Sequence, residues 1–148
     1  MPATTRRACL AFTLTELMIV LAILAILATI VIPDYQRQVR QARRTDGQTG
    51  LMAIALAQEK FRAYCSQYAS RLEGARNCDA EAASPYALGL SETSPEGHYR
   101  FSLSGVSASR FTAEATGVGG QTHDRAGGTS CAELSLDQDG NRAPRDCW

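Results

Sequence analysis

The sequence predicts an α+β protein in which a long, kinked N-terminal helix packs on a small antiparallel sheet. Three observations carry this expectation. Residues 17–32 are uncharged, with Thr29 their one polar side chain, and residues 34–68 continue with apolar side chains at three- and four-residue steps. Residues 98–103, 110–115 and 132–136 alternate polar and apolar side chains instead, as half-buried strands do. Cys65, Cys78, Cys131 and Cys147 lie in the C-terminal part, where a small domain of an oxidising compartment places disulfides.

The first element is the apolar run. As a helix rising about 1.5 Å per residue, residues 12–32 reach roughly 32 Å, against roughly 30 Å of bilayer hydrocarbon. Glu16 stands inside this segment. An unpaired charge there costs on the order of 3 kcal/mol, so a partner for Glu16 is expected. Arg6 and Arg7 precede the run, and the small residue Ala11 sits immediately before Phe12. A secretory signal peptide would instead be cut after its apolar region at a small-x-small site, which residues 27–30 offer poorly.

Ala11-Phe12-Thr13-Leu14-Thr15-Glu16-Leu17-Met18-Ile19-Val20 closely resembles the class III signal of type IV pilins, usually Gly-Phe-Thr-Leu-Ile-Glu-Leu followed by an apolar helix. Ala11 stands where Gly is usual, and Thr15 where Ile is usual. The resemblance implies the type IV pilin fold. It also implies cleavage between Ala11 and Phe12 by a prepilin peptidase, with N-methylation of Phe12. Glu16, fifth residue of the processed chain, would offset the amino terminus of a neighbouring subunit, and Pro33 falls where many pilins soften this helix. Residues 1–11 would be the leader, 12–33 the membrane and filament-core helix, and 34–68 its amphipathic half. Residues 69–97 would be the αβ-loop and 98–148 the sheet with a C-terminal disulfide loop.

Composition is compatible with this scheme. Removing Arg6 and Arg7 from the 15 Lys and Arg leaves 13 basic residues against 15 acidic ones, a net charge of −2. Bulk charge therefore gives nucleic-acid binding no support. Arg6 and Arg7 favour a cytoplasmic N-terminus, whereas Arg37, Arg40, Arg43 and Arg44 crowd the opposite side, and the N-terminal motif decides the orientation. Cys9 would leave with the leader. The remaining four cysteines allow three pairings. Pairing Cys65 with Cys78 and Cys131 with Cys147 brackets one loop-like segment each, although the sequence leaves the choice open. A metal site lacks the usual Cys-x-x-Cys or His pairs, and no cofactor is expected.

Beyond Pro33, which removes a backbone donor and kinks or loosens the helix, Leu51, Ile54, Phe61, Cys65 and Tyr68 form a stripe interrupted at Gln58. Met52 and Leu56 widen it towards a sheet-packing face. Gly47 and Gly50 each weaken the helix by roughly 1 kcal/mol relative to Ala and suggest a bend. The four arginines face lipid head groups, acids of neighbouring subunits, or solvent. Residues 69–97 lose helical periodicity, punctuated by Gly74, Asn77, Ser84-Pro85, Gly89, Ser94-Pro95 and Gly97.

Tyr99, Phe101 and Leu103 share one face of the first strand, and Phe111, Ala113 and Ala115 one face of the second. Residues 117–128 are glycine-rich and loop-like, and the strand at 132–136 completes a three-stranded meander. Asp139-Gly140 signals a turn into a short return strand. The segment from Cys131 to Cys147-Trp148 resembles the C-terminal disulfide loop of PilE-type minor pilins. Asp137, Asp139 and Asn141 lack the Gly and Glu positions of an EF-hand. His98 reads as a surface side chain of a strand and His123 as one of a loop, and no catalytic motif emerges.

The resemblance thus implies a minor pilin rather than an enzyme. Such a protein waits in the inner membrane with its N-terminus cytoplasmic, among membrane lipid, and then enters a surface pilus. Its partners would be the prepilin peptidase, other major and minor pilins and the inner-membrane assembly platform. Its roles would be pilus assembly, twitching motility, adhesion and in some cases DNA uptake. A type II secretion pseudopilin and a signal-anchored periplasmic binding domain are the alternatives.

Overall fold

The structure is a computed structural model, which describes residues 12–83 and 85–148. The expected leader, with Ala11, lies outside the described residues, as does Ser84 of the expected turn. The chain divides into two compact units, Met1–Gln36 and Arg37–Trp148.

One helix, α1 (Leu14–Arg62), contributes to both. Thr13 caps its start: the Thr13 Oγ1 accepts from the Glu16 amide at 3.2 Å, satisfying one of the four donors that a helix start leaves unpaired. In the first unit the apolar side chains stand open, Leu14, Met18, Ile23 and Ile30 among them. The helix is long and apolar enough in this region to cross a membrane. Pro33 lies inside α1, where it supplies no backbone donor.

The second unit lays α1 on a four-stranded antiparallel sheet made of β1 (Tyr99–Ser104), β2 (Thr112–Gly117), β5 (Glu133–Asp137) and β6 (Arg142–Ala143), in the order β1-β2-β5-β6. Between β2 and β5, β3 (Arg125–Ala126) and β4 (Thr129–Ser130) form a separate small hairpin. Alternation fixes which face is buried. Tyr99, Phe101, Ala113, Ala115, Leu134 and Leu136 point inward and meet Leu51, Ile54 and Phe61 of the helix. Each such large apolar side chain contributes roughly 1.5–3 kcal/mol when removed from water. Phe111, just before β2, meets Tyr68 edge-on with ring centroids 4.9 Å apart.

Several expectations change. The helix ends at Arg62, not near Tyr68, because the side chain of Gln58 holds the returning chain: its Oε1 accepts from the Ala69 amide and its Nε2 donates to the Ala69 carbonyl, both at 2.8 Å. Gln58 is therefore no break in the stripe but a fully buried part of it. Met52 and Leu56 lie on the exposed side. Gly47 and Gly50 are contact points: a Cβ on Gly50 would collide with Phe101 Cζ, and one on Gly47 would stand 2.9 Å from the Tyr99 ring. The strands begin one or two residues later than expected, whereas the short return strand expected after Asp139-Gly140 is present as β6, paired with β5. The glycine-rich segment holds a short 3-10 helix, Gly119–His123, with Gln121 buried inside it.

Candidate functional site

The two ends of the chain carry the candidate sites. At the N-terminus, Phe12 is exposed, and Glu16 sits in the first turn of α1, next to the amides whose partial positive charge favours a carboxylate. The neighbouring Thr13 and Thr15 hydroxyls share a hydrogen bond at 3.1 Å. An open apolar helix with one acid in its first turn can associate with other such helices, and the acid then penalises any stagger that leaves it without a cation.

In the second unit, polar contacts clamp loops onto α1. Arg44, 7% exposed, donates through Nε to Asp124 Oδ2 at 2.7 Å and through Nη2 to Asp124 Oδ1 at 3.0 Å. This two-pronged bond holds the guanidinium pKa above its ordinary value. Two residues on, the Asp46 carboxylate accepts from Ser94 Oγ at 2.5 Å and from the Glu96 and His98 amides at 3.3 and 3.4 Å. Gln121 Nε2 donates to the Arg40 carbonyl and to the Tyr99 hydroxyl, each at 3.0 Å. Burial raises the pKa of that hydroxyl. Arg44 thus leaves the arginine group to which the sequence assigned it.

None of these contacts was read from the sequence. A signal existed for Arg44: continued towards the N-terminus, the stripe of Leu51, Ile54, Gln58, Phe61 reaches Gly47 and then Arg44 at the same alternating steps. Asp124 and Gln121, inside a glycine-rich stretch, gave none.

The cysteines pair as Cys65–Cys78 and Cys131–Cys147, with Cα separations of 5.4 and 5.6 Å. Gln48 Nε2 donates to the Cys147 carbonyl at 2.7 Å, so the C-terminal loop is held against α1. Its hairpin turns at Gly140, where φ is +78°. Asp137 closes the turn by accepting from the Asp139 and Asn141 amides and from Asn141 Nδ2, each at 2.9 Å. The Asn141 side chain is the main cause holding Asp137 below the ordinary carboxylate range. Beyond it, Gly140, Asn141, Arg142, Arg145 and Trp148 line an open depression. The guanidinium of Arg142 stands 5.0 Å from the centre of the Trp148 ring, and Arg142 and Arg145 are both exposed. His123 is exposed and His98 half-buried. Among the described residues no cluster of three or more His, Cys, Asp or Glu could hold a metal ion.

Residues 6–32 match the prokaryotic N-terminal methylation motif. Residues 33–135 match the family described as "Type IV minor pilin ComP, DNA uptake sequence receptor". Among solved structures, a type IV pilin from Shewanella oneidensis is similar, with 26% identity and a TM-score of 0.49, over 74% of this chain and 97% of that one. No match was found among curated proteins. The second match alone spans more than half of the chain, and with the methylation motif ahead of it the chain belongs to the type IV minor pilin ComP family.

Proposed function

We propose that this minor pilin is cut between Ala11 and Phe12, N-methylated at Phe12, and moved from the inner membrane into a type IV pilus, where Glu16 sets its stagger against the neighbouring subunit. The observation that carries this reading is the junction itself. A helix begins at Leu14, its first turn holds Glu16 ahead of the uncharged run of residues 17–32, and the methylation motif covers residues 6–32. Prepilin peptidase, other pilins, the assembly platform and surrounding lipid are the partners this route requires. Twitching motility and adhesion would follow from incorporation. Catalysis has no place in the scheme, which is mechanical throughout. Intact mass and N-terminal sequencing of protein from sheared surface filaments, beside the inner-membrane fraction, test it. The expected result is N-methyl-Phe12 at trace level in filaments. A chain cut after residue 32, or uncut and absent from filaments, sinks it.

A second reading, DNA binding by the C-terminal loop, draws on the family description and on Arg142, Arg145 and Trp148. Two exposed guanidiniums suit phosphate oxygens and the ring offers a stacking surface. A net charge summed over the chain does not exclude so local a cluster. Fluorescence anisotropy with a labelled duplex tests this reading. Replacing Arg142 and Arg145 by Ala is expected to weaken binding at least tenfold and to lower the salt slope by about one per lost phosphate contact. Unchanged binding and slope would rule these residues out.

A further inference from the structure

Arg37, Arg40, Arg43 and Arg44 stand where the positive-inside rule disfavours them, just beyond the apolar run on the side expected to be translocated. Arg44 is accounted for, since Asp124 neutralises it inside the head. Arg37 and Arg43 are exposed and Arg40 is half-buried. Asp34 is the one acid in the same stretch of residues 33–45, so the three arginines leave a net charge of +2 there. Spacing of three residues fans them over about a third of the helix circumference.

Their place along the chain points to one ligand. Arg37, Arg40 and Arg43 follow Ile32 by five, eight and eleven residues, helical paths of about 8, 12 and 17 Å that tilt shortens along the bilayer normal, and each long side chain can reach back towards the interface. Polar head groups extend several ångströms beyond the hydrocarbon on each side of a bilayer. Guanidinium groups bind phosphate oxygens in pairs and hydrate weakly, which suits them to a phosphodiester at an interface. We propose that Arg37, Arg40 and Arg43 form a site for anionic phospholipid head groups of the outer leaflet, which holds the subunit in the membrane until assembly. This rests on the reading that the unassembled chain is anchored by residues 12–32. On entering a filament the subunit must exchange these lipid phosphates for other anions, so the site opposes premature extraction.

The test is the association of spin-labelled phosphatidylglycerol and phosphatidylcholine with the full chain in vesicles. The wild type is expected to prefer the anionic lipid by at least about twofold at low salt, and the triple variant R37Q/R40Q/R43Q to lose the preference. Arg6 and Arg7 are unchanged in both chains, so the difference reads the three arginines alone. Inorganic phosphate at matched ionic strength is expected to leave the preference intact; if it abolishes it, the site takes a free anion and the lipid assignment fails. Equal association of both lipids with the wild type, or an undiminished preference in the variant, overturns the proposal. Should the wild type lack a preference while the variant is lost from filaments, carboxylates of neighbouring subunits are the partner instead. A wild type with no motionally restricted lipid at all is not in the bilayer, and then the anchoring reading falls as well.

Discussion

Gly50 shows at the scale of one residue how contact overrides propensity. Alanine there would favour the isolated helix by roughly 1 kcal/mol. In the folded head its Cβ would collide with Phe101 Cζ, and Phe101 is itself buried in the core, where a shift of its ring disturbs the packing around it. Overpacking costs about 1–3 kcal/mol, so Gly50→Ala is expected to lower stability by up to about 2 kcal/mol net, read as a fall in thermal midpoint. An unchanged or raised midpoint would return Gly50 to the role of a simple helix weakener. Arg44 gives a second case. Arg44→Met strands Asp124 without its partner in a 2% exposed site, which costs about 3–5 kcal/mol in denaturant unfolding. Adding Asp124→Leu should recover most of that loss; no recovery would mean that the guanidinium packs rather than pairs. Both residues were visible in the sequence only as types. A glycine reads as flexibility and an arginine as surface, until the element opposite is known.

Elements were legible where one physical rule acts alone. Period-two alternation placed Tyr99, Phe101, Phe111, Ala113 and Ala115 inward, as the core has them. It could not set strand ends, because pairing across β1-β2 and β2-β5 decides those. The helix was legible to Phe61, but its end depends on Gln58 gripping the Ala69 backbone, a contact across a turn that periodicity does not encode. The β5–β6 hairpin is the best-read short element, since Asp139-Gly140 marks it directly. Its turn makes a prediction about pH. Hydrogen bonds from Asn141 and nearby amides depress the Asp137 pKa in the folded state. Their stabilising effect is thus present above the unfolded value and is lost as pH falls through the folded one. A carboxyl-carbon NMR titration should find Asp137 below the ordinary aspartate midpoint, and Asn141→Ala should move it back up. A midpoint unmoved by that substitution would assign the shift to the backbone donors alone.

For the whole molecule, the family could be recognised from residues 11–20 because the pattern that carries the resemblance is short and linear, whereas the head needed its folded contacts to be understood. That division of labour makes Glu16 separable from everything else. It lies in the first turn of an exposed helix. Glu16→Ala should therefore leave the fold of residues 37–148 and its thermal midpoint unchanged. Insertion should become easier by up to roughly 3 kcal/mol, as an acid leaves the apolar segment. Filament entry should move the opposite way, because a neighbouring amino terminus would be buried without its countercharge. The expected outcome is normal membrane abundance with at least a tenfold loss from sheared filaments, measured by quantitative immunoblotting of both fractions. Equal loss from both fractions would indicate a folding or processing defect instead. Unchanged filament abundance would show that the stagger is set by apolar packing along residues 12–32, and Glu16 would then be a residue of processing rather than of assembly.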